Sequence, residues 1–396
     1  MPYDDSILTL TSVGTPDPFV IQFGGQYYFT FTAGNRVEIW SSPSLVDIEA
    51  SSSRHVIWNP PQGTDHSADL WAPELHPIRG RWYVYYAAAH PAHGNKSHRM
   101  YVLGGPPTTR NPCEGEWEFL GRIRGMLPDQ WAIDGTVFEL EDGQLYLAYS
   151  GWPLENHYGH VDVVGEPSDL VQEIFIVKLE DPITVASSPV AISRPQHAWE
   201  LSRDGNSIDH RINEGPQFLR APDGHWRGLV YSCAGSWTHE YKMATLQLIE
   251  GGDPLNPASW HKGKGPLIQT REYTDQVDGG GDNGGRGIGG PFGPGHGCFV
   301  HVEDQVVAVY HATDTPTDGW QNRRARAQRL VFTNDGPYMG VPPGLAAQAL
   351  LGRRQEKGGI LSKLKQRLLR KLRNVEEEVV TGEESLRKLL GECKAP

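Results

Sequence analysis

The amino-acid sequence predicts an all-β fold, a five-bladed β-propeller, followed by a C-terminal amphipathic α-helical tail. The first observation is a hairpin pattern that occurs five times: a polar residue, a short apolar strand, a tight turn and an aromatic-rich strand. A spacing of ~55 to 80 residues between copies is typical of a radial repeat. The second is the composition, because 46 Gly and 30 Pro among 396 residues suit many short strands and turns. We expect the propeller to occupy residues 1–350 and the tail residues 351–396.

The five hairpins set the order of the predicted blades. The polar residues that precede their first strands are Asp17, Glu74, Asp134, Glu214 and His296. The turns within the hairpins are Gly24-Gly25, Arg79-Gly80, Asp142-Gly143, Asp223-Gly224 and Glu303-Asp304. Further strands are expected at residues 37–40, 100–103, 117–119 and 174–177. The strand that closes the ring comes from residues 331–332 or from those before Asp17.

The polar residues ahead of the first strands form the candidate active site. In a propeller the first strand of every blade lines the central axis, so these five side chains are expected to converge in one funnel. Exposed surface residues would not explain why the five polar residues occupy the same position in each hairpin, because a solvated carboxylate needs no fixed position in a repeat. The alternative interpretation is that the five residues only cap the turns that precede the strands.

Two other segments differ from the repeat. Residues 278–290 contain eight glycines in thirteen positions and predict a mobile loop at the rim of the funnel, because such a segment buries little apolar area. Beyond Gly352, apolar residues recur every three or four positions, which predicts an amphipathic helix over residues 360–379 and a second at 383–390. We expect this tail to pack on the propeller or to self-associate. The alternative is that it binds a membrane surface or a protein partner.

Charge and cysteine content exclude several classes of protein. The formal net charge of −12 argues against a nucleic-acid partner and fits a neutral substrate. The four cysteines show no spacing typical of a disulfide framework or a zinc site. No apolar run is long enough for a transmembrane segment, and no signal peptide is visible. We therefore expect an intracellular protein, or a secreted one whose signal is missing from this sequence.

Seven motifs point to a known family. They are Asp17-Pro18, Trp71-Ala72-Pro73-Glu74, Trp131-Ala132-Ile133-Asp134-Gly135, Ser150-Gly151-Trp152, Asn213-Glu214-Gly215-Pro216, Gly293-Pro294-Gly295-His296 and Arg324-Ala325-Arg326-Ala327-Gln328. In this order they resemble glycoside hydrolase family 43, and most closely its α-L-arabinofuranosidase branch, over roughly residues 5–343. One departure is Gly297-Cys298, where that branch usually has Asn-Ser.

The resemblance implies a role for each of three carboxyl groups. Asp17 resembles the general base, Glu214 the general acid, and Asp134 the carboxylate that adjusts the pKa and orientation of the acid. Inverting cleavage of a glycosidic bond needs the acid and the base ~6.5 to 9.5 Å apart. Opposite sides of a funnel provide that distance, and a negative charge on Asp134 is expected to hold Glu214 protonated near neutral pH.

Further residues are candidates for contacts with the sugar. Glu74 either binds a sugar hydroxyl or holds its own loop through hydrogen bonds. Trp71 and Trp152 each offer a flat face to a sugar ring, or pack between blades. Weaker candidates for contacts with sugar hydroxyls are Asn35, Ser150 and Ser232.

One histidine and one arginine complete the expected site. His296 resembles the axial histidine of the family, which lies beneath the substrate and contacts a water or a bound cation such as calcium; no cofactor is expected to be required. A cation among the acids would satisfy their hydrogen bonds and keep Asp17 ionised. Arg324 and Arg326 lie on the same face of a strand, and family register favours Arg324.

The main hypothesis is an inverting, exo-acting α-L-arabinofuranosidase that releases arabinose from arabinan or arabino-oligosaccharides. Within the same chemistry, a β-xylosidase is the alternative, because the two sugars present similar hydroxyl arrangements. A fructan-cleaving propeller with a retaining mechanism would need its carboxyl groups only ~5 to 5.5 Å apart. A carbohydrate-binding propeller that has lost catalysis is disfavoured, because Asp17, Asp134 and Glu214 are all present.

Overall fold

The computed structural model describes residues 6–154, 171–203, 209–274, 286–302, 305–333, 335–339 and 382–391. These residues form twenty-five β-strands, two α-helices and three short 3₁₀ helices. The predicted all-β fold is confirmed. The helix expected at 360–379, and most of the glycine-rich loop expected at 278–290, lie outside the described residues.

All five predicted hairpins are present as antiparallel pairs of strands. They are β2 with β3 (Phe19–Phe23, Gln26–Thr30), β6 with β7 (Ala68–Ile78, Arg81–Ala89), β10 with β11 (Ala132–Glu139, Leu145–Gly151), β16 with β17 (Asp209–Arg220, Arg227–Cys233) and β22 with β23 (Phe292–Val302, Gln305–Thr313). Each first strand lies against the first strands of two other hairpins, in the cyclic order β2, β6, β10, β16, β22. The hairpins therefore arrange their first strands around a common channel.

Further strands extend each hairpin into a sheet that is numbered here by its place in the chain. The first sheet adds β4 (Val37–Ser42) and β5 (Ser53–Trp58), and the second adds β8 (Arg99–Pro107) and β9 (Glu118–Arg122). The third adds β12 (Val171–Asp181), β13 (Thr184–Val185) and β14 (Val190–Ser193). The fourth adds β15 (Leu201–Arg203), β18 (Lys242–Leu248) and β19 (Trp260–Lys262), and the fifth adds β1 (Ile7–Thr9), β24 (Arg324–Thr333) and β25 (Gly336–Tyr338).

Three smaller features complete the described structure. A short parallel contact between β12 and β16 joins the third sheet to the fourth. A separate hairpin is formed by β20 (Arg271–Thr274) and β21 (Arg286–Gly289). The helix α1 (Ile48–Ser51) follows β4, and the 3₁₀ helices span Asn95–Ser97, Ala198–Glu200 and Pro257–Ser259.

Apolar cores lie between consecutive sheets. One cluster joins the second sheet to the third, another joins the third to the fourth, and another the fourth to the fifth. The largest cluster contains residues of the first, second and fifth sheets, including Phe29, Tyr86 and Val309. Because most of these side chains are fully buried, the hydrophobic effect holds each sheet against its neighbours and the first sheet against the fifth.

Both ends of the described chain meet at the contact between the first and fifth sheets. Strand β1 pairs with β24, with Ile7 opposite Gln328, so residues before Asp17 supply the closing strand. Helix α2 (Gly382–Gly391) overlaps the helix expected at 383–390 and buries Leu386 and Leu390 in the cluster shared by these sheets. This part of the tail therefore packs on the β-structure.

Candidate active site

A cavity of about 570 Å³ opens at one end of the channel. Its lining includes Asp17, Asp134, Glu214 and His296, which are four of the five residues expected to converge. The fifth, Glu74, is not part of the lining. The structure thus brings the three predicted catalytic carboxyl groups together in one cavity.

A β-bulge in the first strands determines which side chains reach this cavity. The pairing register shifts once in β10 and β16 and twice in β6 and β22, each time across one extra residue. At the single shift of β10 and β16, and at the second shift of β6 and β22, the extra residue has a positive φ. The four residues and their φ angles are Ala72 (44°), Asp134 (56°), Gly215 (56°) and His296 (45°). Asp17, with a φ of 54°, occupies the equivalent position in the first hairpin: it lies two residues before Phe19, the first residue of β2 that pairs with β3. Bulges of this kind bend the strand and redirect a side chain.

The bulges correct the predicted equivalence of the five polar residues. The structurally equivalent residues are Asp17, Ala72, Asp134, Gly215 and His296. Glu214 lies one residue before its bulge position, and Glu74 lies two residues after its own. Glu74 is consequently buried below the cavity, where it accepts a hydrogen bond from Gln217 and contacts Nε2 of His76 at 2.8 Å.

Asp17 is surrounded by groups that favour its charged form. Arg323 Nη1 lies 3.4 Å from Oδ1, and the Thr32 hydroxyl donates to Oδ2 at 2.7 Å. Burial alone would raise the pKa of Asp17, but Arg323, His296, His311 and Thr32 together hold it well below its usual range. Because burial lowers the pKa of both imidazoles, Arg323 and Thr32 are the partners that act at every pH. Asp17 is therefore a carboxylate near neutral pH.

Glu214 has the opposite electrostatic surroundings. Burial raises the pKa of Glu214 to about 7, and the negative charge of Asp17 adds to the effect. The Tyr241 hydroxyl, which donates to Oε1 at 2.8 Å, and the Arg323 guanidinium act against it. The carboxyl group of Glu214 therefore keeps its proton up to about neutral pH.

Asp134 interacts electrostatically with both of the other acids. Its Oδ2 accepts the backbone N–H of Gly215 at 3.0 Å and lies 3.8 Å from Nδ1 of His296. Burial, followed by the charges of Glu214 and Asp17, raises the pKa of Asp134 well above its usual range. Because Coulomb repulsion is mutual, ionisation of Asp134 opposes ionisation of Glu214, and the two groups titrate as a pair.

The structure separates the predicted tryptophan and serine contacts into two groups. Trp71 lines the cavity, and its ring stacks on His98 with the centroids 3.8 Å apart. Trp152 is buried and packs on Trp131, which itself lines the cavity. Ser150 is also buried and donates to Gln172 and to the backbone carbonyl of Asn213. Trp152 and Ser150 therefore lie behind the wall of the cavity.

Two other predicted contacts do not reach the cavity. Asn35 is an exposed residue whose side-chain oxygen accepts a hydrogen bond from Arg36. Ser232 is fully buried beneath His296, whose backbone N–H donates to its hydroxyl at 2.7 Å.

The predicted arginine is replaced by its neighbour. Arg324 and Arg326 do share one face of β24, as expected, but both bind Asp314 outside the cavity. Arg323, immediately before β24, is the residue that lines the cavity and contacts Asp17. Counting strand positions could not find it, because Arg323 belongs to the preceding loop, where the alternation of faces does not apply.

Several other residues of the site were not predicted. At the mouth, Trp237 and Trp320 meet edge to face with centroids 5.4 Å apart, and Trp320 is 59% exposed. Below the acids, Tyr241 and His311 stack with centroids 5.7 Å apart, and Nδ1 of His311 accepts the N–H of Asp17 at 3.0 Å. A tryptophan this exposed is unusual on a protein surface, but no pattern in the sequence shows that Trp320 is exposed.

The described residues offer no group of three or more His, Cys, Asp or Glu side chains arranged to hold a metal ion. Around His296, Nδ1 faces Oδ1 of Asp17 at 3.5 Å and Oδ2 of Asp134 at 3.8 Å. The calcium ion expected near His296 stays a prediction.

In the part of the chain that the structure describes, no helix has the length and apolar character needed to cross a membrane.

Comparisons with known proteins agree with this site. The chain is 31% identical over 343 residues to an extracellular exo-α-(1→5)-L-arabinofuranosidase of Streptomyces avermitilis, and 32% identical over 338 residues to α-L-arabinofuranosidase 43 of Humicola insolens. Each match covers 82% of this chain and 61% of the relative, so the chain spans about three fifths of the length of these relatives.

A solved structure supports the same relationship. The crystal structure of an α-L-arabinofuranosidase from Lactobacillus brevis is similar to this chain with a TM-score of 0.66 and 28% identity, over 83% of this chain and 94% of that one. The model of the glycosyl hydrolases family 43 matches residues 10–338, a range that contains the three acids and Arg323. The chain therefore belongs to glycosyl hydrolases family 43.

Proposed function

We propose that this protein is an inverting, exo-acting α-L-arabinofuranosidase that releases L-arabinose from arabinan or arabino-oligosaccharides. The observation that carries the proposal is the opposite ionisation of two acids in one cavity. Asp17 is ionised beside Arg323, whereas Glu214 holds its proton up to about neutral pH. The names of the relatives, all arabinofuranosidases, support the choice of sugar.

The proposed reaction uses these two groups together. Asp17 accepts a proton from a water molecule while the water oxygen attacks the anomeric carbon. Glu214 donates its proton to the glycosidic oxygen as the bond from that oxygen to the anomeric carbon breaks. The products are free arabinose with the inverted anomer and a shortened glycoside with a new hydroxyl group. The geometry required is a separation of ~6.5 to 9.5 Å between the two carboxyl groups.

The same proposal assigns roles to other residues of the cavity. Trp71 and His296 are placed to contact the arabinose, since both line the cavity beside the acids. Asp134 shares its titration with Glu214 and accepts the N–H of Gly215, so it sets both the charge and the backbone position next to the acid. This chemistry needs only carboxyl groups and water.

We further propose that the five sheets are the five blades of a β-propeller within residues 1–350. The cyclic contacts of the first strands and the apolar cluster that joins the first sheet to the fifth support a closed ring. Residues 351–396 are assigned to a tail that helix α2 attaches to the contact between these two sheets. A neutral oligosaccharide suits the acidic chain better than an anionic substrate would.

Product analysis by proton NMR tests the function directly. The purified protein is mixed with linear and branched arabino-oligosaccharides, and the anomeric signals are followed from the first minutes. We expect arabinose to appear one residue at a time, initially as the β-anomer. The rates of hydrolysis of nitrophenyl xyloside and nitrophenyl arabinofuranoside, measured in parallel, distinguish the proposed arabinofuranosidase from the xylosidase alternative. Initial release of the α-anomer, faster cleavage of the xyloside, or no hydrolysis of any arabinoside would overturn the proposal.

A further inference from the structure

The acid Glu214 accepts a hydrogen bond from a buried tyrosine, Tyr241. The Tyr241 hydroxyl donates to Glu214 Oε1 at 2.8 Å. The N–H of His296 donates to the hydroxyl of the neighbouring Ser232 at 2.7 Å. Ser232 is also the cross-strand neighbour of Glu214 in the pairing of β16 with β17. No motif in the sequence connects these residues.

Packing holds Tyr241 in this position. The tyrosine is fully buried, and its ring stacks on His311 at an interplanar angle of 9°. On another side the ring lies so close to Gly295 that a Cβ there would come within 2.0 Å of it. Rigid neighbours therefore fix the Tyr241 side chain in the rotamer that directs its hydroxyl to Glu214.

We propose that Tyr241 is a positioning residue that keeps Oε1 of Glu214 as a hydrogen-bond acceptor and leaves Oε2 as the oxygen that delivers the proton. This inference rests on the proposed function, since it concerns the same acid. In a protonated carboxyl group the carbonyl oxygen is the better acceptor, so a fixed donor at Oε1 favours protonation of Oε2. The proton leaves Oε2 for the glycosidic oxygen, and the negative charge that forms is stabilised at Oε1 by Tyr241.

The hydrogen bond also has a defined effect on acidity. A hydroxyl that donates to a carboxylate stabilises the ionised form, so Tyr241 lowers the pKa of Glu214, against the effect of burial. Removing the hydroxyl must therefore raise the pKa of Glu214. A tyrosine that only filled space would leave this pKa unchanged.

The test measures the pKa of Glu214 in the whole protein by NMR of [δ-¹³C]glutamate, with Glu214→Gln identifying the signal. Tyr241→Phe is expected to raise this pKa by about one unit, since a hydrogen bond to a charged group contributes roughly 1.5 kcal/mol. In Tyr241→Phe the alkaline limb of kcat/KM on nitrophenyl arabinofuranoside should move up equally, with KM unchanged.

Tyr85→Phe is the matched control, because its buried hydroxyl also makes one hydrogen bond, to Pro182 O at 2.7 Å, outside the cavity. It should leave the pKa of Glu214 where it is. An unchanged or lower pKa in a folded Tyr241→Phe protein would overturn the inference. Because the NMR signal requires no turnover, this result stands apart from any failure of the proposed arabinofuranosidase activity.

Discussion

The two sides of the cavity carry chemically similar acids in opposite states. Asp17 and Glu214 are both largely buried, and burial raises the pKa of each. On the Asp17 side, a guanidinium and a threonine hydroxyl outweigh burial; on the Glu214 side, a tyrosine hydroxyl and the same guanidinium do not. The difference shows that the groups beside each carboxyl, and not the depth of burial, separate the ionised acid from the protonated one.

Removing either acid should give the largest effect. We expect Asp17→Asn and Glu214→Gln each to lower kcat by several orders of magnitude without unfolding the protein. Because a good leaving group needs little protonation, the Glu214 variant should retain more activity on dinitrophenyl than on alkyl arabinofuranosides, and the Asp17 variant should not. Steady-state kinetics on both substrate types measure this difference. An equal loss on both by both variants would show that the two roles are assigned wrongly.

Removing the guanidinium of Arg323 should reduce the difference in pKa between Asp17 and Glu214. Arg323 lowers the pKa of both Asp17 and Glu214, so Arg323→Gln should move both limbs of the pH profile of kcat/KM to higher pH. Loss of the contact with Asp17 should also reduce kcat on the order of 100-fold, as misplacement of a catalytic group does.

Arg324→Gln is the matched control, because this neighbouring arginine binds Asp314 outside the cavity. Its pH profile should match that of the unmodified protein. If the two arginine variants behave alike, the separation of acid and base does not depend on Arg323.

Neutralising the third acid should give the smallest of these effects. Asp134→Asn keeps an oxygen for the N–H of Gly215 but removes a group whose ionisation opposes that of Glu214. Glu214 should then titrate alone and not as one of a pair, and the alkaline limb of kcat/KM should move to lower pH. The acidic limb, which reports Asp17, should stay in place. An alkaline limb that does not move would mean that Asp134 acts on Glu214 through geometry alone.

The repeated pattern predicted the hairpins and the three acids but not their exact register. The predicted strands are present because alternating apolar residues and turn glycines determine local structure. The bulges have no such signal, so the sequence pattern gives Glu74 the same position in its hairpin as Glu214, although Glu74 lies three residues further along the repeat.

The residues that tune the acids were harder to predict for a different reason. Arg323 and Tyr241 come from segments between strands, where the path of the chain depends on tertiary packing. Ser232 was singled out as a contact for sugar hydroxyls, but its hydroxyl faces into the protein. The sequence indicated that Ser232 lies near the site, but it did not show that the side chain points into the protein.

The positive φ angles at the bulges have a consequence for the evolution of this protein. Left-handed backbone costs a non-glycine residue roughly 1–2 kcal/mol, and Asp17, Asp134 and His296 all adopt it. Glycine at any of these positions would relieve the strain and remove a side chain that lines the cavity. A search for heat-resistant variants would therefore favour the loss of these cavity side chains, whereas at Ala72 glycine relieves the same strain and no acid is lost.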